Sequence, residues 1–201
     1  LLIGAGAVKT LESAAVSLGE AGPAPRFSEA VEGGALDMRD STCPAIHTAL
    51  QASEKGVDFM PLGGLVGSDL VDNRDDWKVV DDPLGQGGGP VVLLPAIKPD
   101  VTVFHSPRAD TEGNVWIGRR RELVTMAHAA AATLVTVEAV EDRDFLDDEA
   151  TAAGTLSGLY VTAIAVAEGG ARPLGLTGHY ERDRDYIRAY AEEAKTGDGF
   201  K

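Results

Sequence analysis

The chain has one cysteine, Cys43, among its 201 residues, and it has no long uninterrupted run of apolar residues. A single cysteine excludes an internal disulfide and favours a reducing compartment. No stretch approaches the roughly 20 apolar residues that a transmembrane helix needs. The apolar start at Leu1-Leu2-Ile3 is too short for a signal peptide and lacks its basic residues. We therefore expect a cytoplasmic protein without a membrane partner.

Basic residues are few as well. The chain has 18 Lys and Arg against 32 Asp and Glu, which gives a formal net charge of −14. This balance argues against nucleic acid and anionic membranes as partners. The histidines lack the short spacings of a metal site, so we expect no bound metal; they are His47, His105, His128 and His179.

Short β-type runs alternate with helical patterns along the chain. This alternation predicts an α/β fold with a mainly parallel open sheet flanked by helices, formed as a single domain over residues 1–201. Strands are predicted at residues 11–18, 36–40, 77–80, 101–104, 133–138 and 160–167. Helices are predicted at residues 25–32, 119–132 and 183–195. A further helix is predicted to start at Ser41 to Pro44 and to end at Lys55-Gly56. The helix at 183–195 is expected to pack through Tyr186, Ile187 and Tyr190.

The helix that opens at Thr42 and Cys43 places a thiol where its pKa could be lowered. His47 follows one turn later and is predicted on the same face. A small packing role for Cys43 is the favoured interpretation, and a Cys43–His47 dyad is the alternative.

Residues 93–115 form the most informative segment. An apolar approach and a Pro99-Asp100 turn precede a predicted buried strand, and His105, Ser106 and Arg108 follow at its end. Ligands of open parallel sheets bind at the carboxyl ends of the strands, which makes these three residues candidates for a site. Asp110 and Asn114 are predicted to shape a tight turn.

This segment resembles, nearly residue for residue, the stretch of type I CoA-transferase A subunits that reads PALxPDVAxxHxxxADxxGNV. Residues 57–70 resemble the PFxPxRxGxGTDL segment of that family, and residues 118–138 are similar to its helix followed by a VTVEEIV strand. Gly178-His179-Tyr180 with Asp183, Asp185 and Tyr190 resembles the end of glutaconate CoA-transferase A subunits. The likeness covers most of the chain.

The resemblance implies the A subunit of an acyl-CoA:carboxylate CoA-transferase, with a CoA thioester and a small carboxylic acid as substrates and no bound cofactor. In this family the nucleophilic glutamate lies on a B subunit, in a SENG or ExG strand end. The one near match here, Ser53-Glu54-Lys55-Gly56, falls at a predicted helix end and is rejected. We therefore expect no catalytic residue in this chain. Its expected partner in a hetero-oligomer, such as a heterotetramer, is the B subunit.

The resemblance also implies where this chain contributes to the pocket. Glycine loops can present backbone N–H groups to a tetrahedral intermediate, which makes Gly63, Gly64, Gly67 and Ser68 candidates. Further expected substrate-binding residues are His105, Ser106, Arg108, Thr42 and Cys43. The basic cluster Arg119-Arg120-Arg121 suits CoA phosphates, although a solvated face or an inter-subunit ion-pair site is the favoured interpretation.

Two alternatives stay open. Some relatives on the same scaffold act as hydrolases, with an acidic residue near the helix start that is here Thr42-Cys43. A non-catalytic metabolite-binding subunit is the second, because fold does not fix function. The glycine-rich loop near the start of family A subunits is absent here, so we expect the chain to lack its first βα unit and to be N-terminally incomplete.

Overall fold

The computed structural model describes residues 1–200 and has an α/β architecture. Its strands are β1 (Thr10–Ser13), β2 (Asp37–Asp40), β3 (Phe59–Leu62), β4 (Lys78–Val80), β5 (Val91–Pro95), β6 (Val101–Asp110), β7 (Val115–Trp116), β8 (Ala132–Glu141), β9 (Thr155–Leu156) and β10 (Ala163–Val166). Its α-helices are α1 (Pro25–Glu32), α2 (Cys43–Glu54), α3 (Asp69–Asp72), α4 (Glu122–Ala129), α5 (Glu149–Ala152), α6 (Arg184–Glu193) and α7 (Gly197–Phe200).

The strands of residues 1–200 are divided among three sheets. The largest has the order β10-β8-β6-β7-β9, with β10, β8 and β6 parallel and the short β7 and β9 antiparallel. A parallel pair, β1 and β2, and an antiparallel sheet, β3-β5-β4, form the other two. The predicted α/β class is confirmed. The antiparallel part arises because a tight turn can join only antiparallel neighbours, whereas parallel strands need a long crossover.

The core has two clusters that meet at the packed pair of helices α2 and α4. One lies under β6 and β8 and includes Val135 and Val137, with Ala127 of α4. The other lies under β5 and includes Val92, Leu94, Trp77, Leu65 and Ala45 of α2. The small buried side chains of α2 let this helix approach both its sheet and α4 closely.

Local signals in the sequence predicted several element bounds correctly. Helix α1 covers residues 25–32 as expected, and α2 begins after Thr42, whose Oγ1 accepts a hydrogen bond from the Ala45 N–H at 3.2 Å. Glu54 lies at the end of α2, as predicted, and is 3.3 Å from the Nδ1 atom of His128.

Other expectations were wrong. Strand β6 runs on to Asp110, so His105 lies in its middle. Because the first half of that strand is uncovered on the face of Val101 and Val103, Val103 is 65% exposed. Helix α4 begins at Glu122, since the arginines before it form a turn. In α6, Ile187 is buried but Tyr186 is 54% exposed. Strand β1 ends at Ser13, well short of the predicted residue 18.

The turn between β6 and β7 is organised by one buried carboxylate. Asp110, 2% exposed, accepts hydrogen bonds from the N–H groups of Glu112, Asn114 and Phe145 at 2.8–3.0 Å, and from the Asn114 side chain at 2.9 Å. Burial would raise the pKa of Asp110, but these hydrogen bonds outweigh it and lower the pKa. Gly113 adopts φ +88°, which favours glycine. The predicted roles of Asp110 and Asn114 in the turn are confirmed.

We predict that Asp110→Ala lowers the free energy of unfolding by about 3 kcal/mol or more, because it leaves buried N–H donors without an acceptor. Urea denaturation at pH 7 measures the change. Glu112→Ala, on the exposed tip of the same turn, is the matched control and should change stability by less than about 0.5 kcal/mol. Equal midpoints for the two variants would contradict this account of the turn.

Candidate active site

A polar cleft of about 440 Å³ opens beside the middle of β6. His105 and Ser106 of β6 form one wall, and the turn before α4 forms another. The remaining residues that line it are Pro107, Trp116, Ile117, Gly118, Arg119, Arg120, Glu122, Leu176 and Thr177. The structure thus brings two of the predicted site residues to one cleft.

His105 is fixed through both ring nitrogens. Its Nε2 lies 2.7 Å from Oε1 of Glu138, and its Nδ1 lies 2.9 Å from Oγ1 of Thr136; both partners lie on β8. Because an ionised carboxylate only accepts hydrogen bonds, Nε2 donates to Glu138. With both nitrogens engaged, the His105 ring is held in place and forms part of the cleft wall.

Glu138 is the centre of this network. Besides the His105 ring, it accepts hydrogen bonds from the Tyr180 hydroxyl at 2.7 Å and from the Gly169 N–H at 2.8 Å. Burial would raise the pKa of Glu138, but the bonds from Gly169, Tyr180 and His105 outweigh it and lower the pKa to about 2. Glu138 therefore stays ionised at neutral pH and holds three segments together.

Residues 167–180, here named the strap, lie over the strands at this network. The Tyr180 hydroxyl also accepts from the Ala171 N–H at 2.9 Å, so the strap is tied to itself and to Glu138. Burial raises the pKa of Tyr180, and so does the bond to Glu138. At Gly170 a Cβ would lie 2.7 Å from the His105 ring, so only glycine permits this approach. The strap thereby delivers Leu176 and Thr177 to the cleft.

Ser106 and Arg108 are engaged within the fold. Ser106 is 1% exposed, and its Oγ donates to the Trp116 carbonyl at 2.5 Å. Arg108 turns away from the cleft, lies 3.1 Å from Glu141, and covers the rings of Trp116 and Phe145. Arg108 therefore does not line the cleft, because its guanidinium group is held by Glu141 and by the two aromatic rings.

A second, apolar cleft of about 490 Å³ lies at the start of α2. Cys43 and His47 both line it, as their predicted shared face requires, and the Cys43 thiol is free and exposed. Glu122 lines both clefts, so they adjoin. Thr42 serves as the cap of α2 through its hydroxyl.

The glycine-rich candidates lie elsewhere. Gly63, Gly64 and Gly67 form the exposed turn between β3 and α3, and Ser68 donates its hydroxyl to the Leu65 carbonyl at 2.7 Å. A Cβ at Gly63 or Gly64 would meet nothing within 4 Å. None of the four lines either cleft.

Sequence reasoning missed Glu138, Tyr180 and the place of the arginines in the cleft. Glu138 ends the predicted strand 133–138, next to the strand of His105, so the rule that selected His105 applies to it equally. The strap has no regular pattern, and nothing in the sequence placed Tyr180 against Glu138.

Two further findings concern residues 1–200. No group of three or more His, Cys, Asp or Glu side chains there is arranged to hold a metal ion. No helix in this part of the chain is long and apolar enough to cross a bilayer.

Comparison with known proteins places this chain in one family. The sequence profile of the coenzyme A transferases matches residues 1–167, and the chain belongs to the coenzyme A transferase family. The A subunit of glutaconate CoA-transferase from Acidaminococcus fermentans is 28% identical, over all of this chain and 67% of that protein. The A subunit of 3-oxoadipate CoA-transferase from Pseudomonas knackmussii is 30% identical, over all of this chain and 71% of that protein. The chain is a type I CoA-transferase A subunit, as the resemblance predicted.

Solved structures agree with this placement. The glutaconate coenzyme A-transferase from Acidaminococcus fermentans superposes with a TM-score of 0.88 at 27% identity, covering 99% of this chain and 68% of that one. A variant of the decarboxylase AibA/AibB gives 0.82 at 30% identity, covering 98% and 73%. The cholesterol ring-cleaving hydrolase IpdA subunit of Mycobacterium tuberculosis is 27% identical over all of this chain and 72% of its own length. The related proteins are thus named as CoA-transferases, a decarboxylase and a hydrolase.

We predict that Glu138→Gln loosens the strap, because the amide nitrogen of glutamine would face an N–H or O–H donor where the carboxylate accepted one. Hydrogen exchange at Gly169 and Ala171 should accelerate at least tenfold. Glu168→Gln, at an exposed neighbouring position, is the control and should leave exchange unchanged. Unchanged protection in Glu138→Gln would contradict the anchoring role.

The lowered pKa of Glu138 predicts a pH dependence of its contribution to stability. Because the pKa is lowered in the folded state, the contribution is complete above the ordinary value near 4.5 and is lost as the pH falls toward about 2. The difference in unfolding free energy between the native chain and Glu138→Gln should therefore be constant from pH 5 to 7 and shrink below about 4.5. Denaturation across that range measures it, and a difference that grows on acidification would contradict the assignment.

Proposed function

We propose that the chain is the A subunit of an acyl-CoA:carboxylate CoA-transferase whose nucleophilic glutamate lies on a B subunit. The carboxylates near the polar cleft support this proposal. Glu138 is held by three donors with its pKa near 2, and Glu122 is half exposed beside Arg120, at 3.9 Å. A nucleophile needs a free, positioned carboxylate, and neither residue meets that need.

The proposed reaction divides one exchange into four balanced steps. An oxygen of the partner glutamate attacks the thioester carbon, the C–S bond breaks, and CoA leaves as thiolate. The thiolate attacks the glutamyl carbonyl of the resulting anhydride, which releases the first acid and leaves an enzyme–CoA thioester. An acceptor carboxylate then reverses these two steps and leaves as its CoA thioester. Each tetrahedral intermediate needs N–H donors for its oxyanion.

Within this scheme the chain would supply one side of the pocket. The wall formed by His105 and Ser106 would contact the acyl group, and the start of α2 at Thr42 and Cys43 would border it. The exposed turn with Gly63, Gly64, Gly67 and Ser68 would face the partner, where its backbone N–H groups could reach an oxyanion. Arg108 would act indirectly, by fixing Trp116 at the rim of the cleft.

The substrates we propose are a small carboxylic acid and an acyl-CoA, with no tightly bound cofactor. Two relatives are named for glutaconate and 3-oxoadipate, which are small acids. We further propose a hetero-oligomer with the B subunit, such as a heterotetramer, that works in the cytoplasm. The net charge of −14 supports partners other than nucleic acid or anionic membrane.

A hydrolase on the same scaffold is the second candidate, favoured by the likeness to the IpdA subunit. It would transfer the acyl group to water instead of moving CoA to a second acid. Against it, the start of α2 carries Thr42 and Cys43 and no carboxylate that could activate water. The third candidate, a non-catalytic metabolite-binding subunit, would show neither reaction.

The test is isotope exchange by the complex that this chain forms in its own cells. With a radiolabelled acid and the matching unlabelled acyl-CoA, a transferase moves label into the thioester while the thioester concentration stays constant. We expect that outcome, and no exchange by the isolated chain. Loss of thioester at a rate independent of acceptor acid would favour the hydrolase, and an inert complex would favour the binding subunit.

A further inference from the structure

Two arginines are among the residues that line the polar cleft. Arg119 and Arg120 belong to the turn between β7 and α4, which backbone hydrogen bonds hold in shape: Gly118 donates to the Gly154 carbonyl at 3.0 Å, and Arg120 donates to the Ile117 carbonyl at 3.2 Å. The backbone that carries the two guanidinium groups is therefore fixed, while both side chains are exposed at the cleft.

The fold neutralises these two charges only in part. Among residues 1–200, Arg119 has no carboxylate within salt-bridge distance, and Arg120 has only Glu122, at 3.9 Å. Arg121 differs, because its Nη1 donates to the Ala153 carbonyl at 2.8 Å and it does not line the cleft. The cleft is thus locally positive in a chain of net charge −14.

We infer that Arg119 and Arg120 form an oxyanion-binding subsite for a carboxylate or phosphate group of the substrate, remote from the reacting carbonyl. The planar guanidinium fork matches both groups. This inference rests on the proposed function and gives two of the exposed arginines a ligand, beyond the solvated face or inter-subunit ion-pair site that the sequence favoured. It implies that the substrate carries an anionic group besides the carboxyl group that reacts.

The adjoining apolar cleft indicates that the substrate also has an apolar part. That cleft is lined by Ile46, Leu50 and Met126, and it meets the polar cleft at Glu122. An anionic group at the arginines places the apolar body of the same substrate along this boundary. The carboxylate of Glu122 repels an anion from the α4 side, which favours binding at Arg119.

Three parts of an acyl-CoA could supply the oxyanion: a second carboxylate on the acyl group, the 3′-phosphate of CoA, or the diphosphate of CoA. The assay therefore uses the A–B complex with thioesters of a monocarboxylic and a dicarboxylic acid, each made with CoA and with dephospho-CoA. The test variant is Arg119→Gln with Arg120→Gln, and Arg121→Gln is the matched control. The urea midpoint of each variant is checked against the native complex.

We expect the double variant to raise KM about 10- to 100-fold for the substrate that bears the recognised oxyanion, with a smaller change in kcat. If the double variant raises KM only for the thioesters of the dicarboxylic acid, the inference is supported with a carboxylate as the ligand. If the double variant raises KM for CoA thioesters but not for dephospho-CoA thioesters, the inference is supported with the 3′-phosphate as the ligand. An equal rise in KM for all four substrates, confined to the double variant, supports it with the diphosphate as the ligand. An unchanged KM for all four substrates, or the same change in Arg121→Gln, would overturn it.

A native complex without any exchange would refute the proposed function but still leave the subsite testable. In that case calorimetry measures the binding of glutarate and of adenosine 3′,5′-bisphosphate to the native complex and to the double variant. Weaker binding of one ligand to the variant, with a loss that diminishes as salt is added, supports the subsite. Equal binding to both proteins would overturn it.

Discussion

The hydrogen-bonded carboxylate of Glu138 is the interaction on which the proposed site depends. It joins β8 to the His105 ring on β6 and to the strap through Gly169 and Tyr180. Without it, a buried imidazole and two donors of the strap would lack their acceptor, and the wall formed by Leu176 and Thr177 would have no anchor. The carboxylate of Glu138 thus joins two parallel strands to the strap, and β6 and the strap both line the cleft.

Asp110 performs a comparable task at the end of the same strand. Asp110 is buried, the Glu138 side chain is 12% exposed, and both carboxylates are ionised and surrounded by donors. Their negative charge therefore stabilises the fold and is not available as a nucleophile. The positive charges of Arg119 and Arg120 remain open to the cleft instead. This distribution, anionic inside the fold and cationic at the cleft, fits a subunit that binds an acid and leaves the attack to its partner.

The parts of the fold that the sequence predicted are those set by neighbouring residues. The cap at Thr42, the glycine at the turn of residue 113 and the bounds of α1 each depend on a few adjacent side chains. The exposure of Val103, the approach of Gly170 to His105 and the place of Arg119 depend on contacts between distant segments. Such contacts leave no periodic pattern in the sequence. For that reason His105 and Ser106 could be selected as candidates from the sequence, but the hydrogen bonds of Glu138 could not be predicted.

The central claim is that the reactive glutamate belongs to a partner chain and not to this one. Mass spectrometry of the separated subunits, after the complex has been incubated with acyl-CoA and no acceptor acid, tests it most directly. The account predicts a CoA adduct on the partner, at a glutamate, with this chain unmodified. A CoA or acyl adduct on this chain, at Cys43 or Glu122, would contradict it.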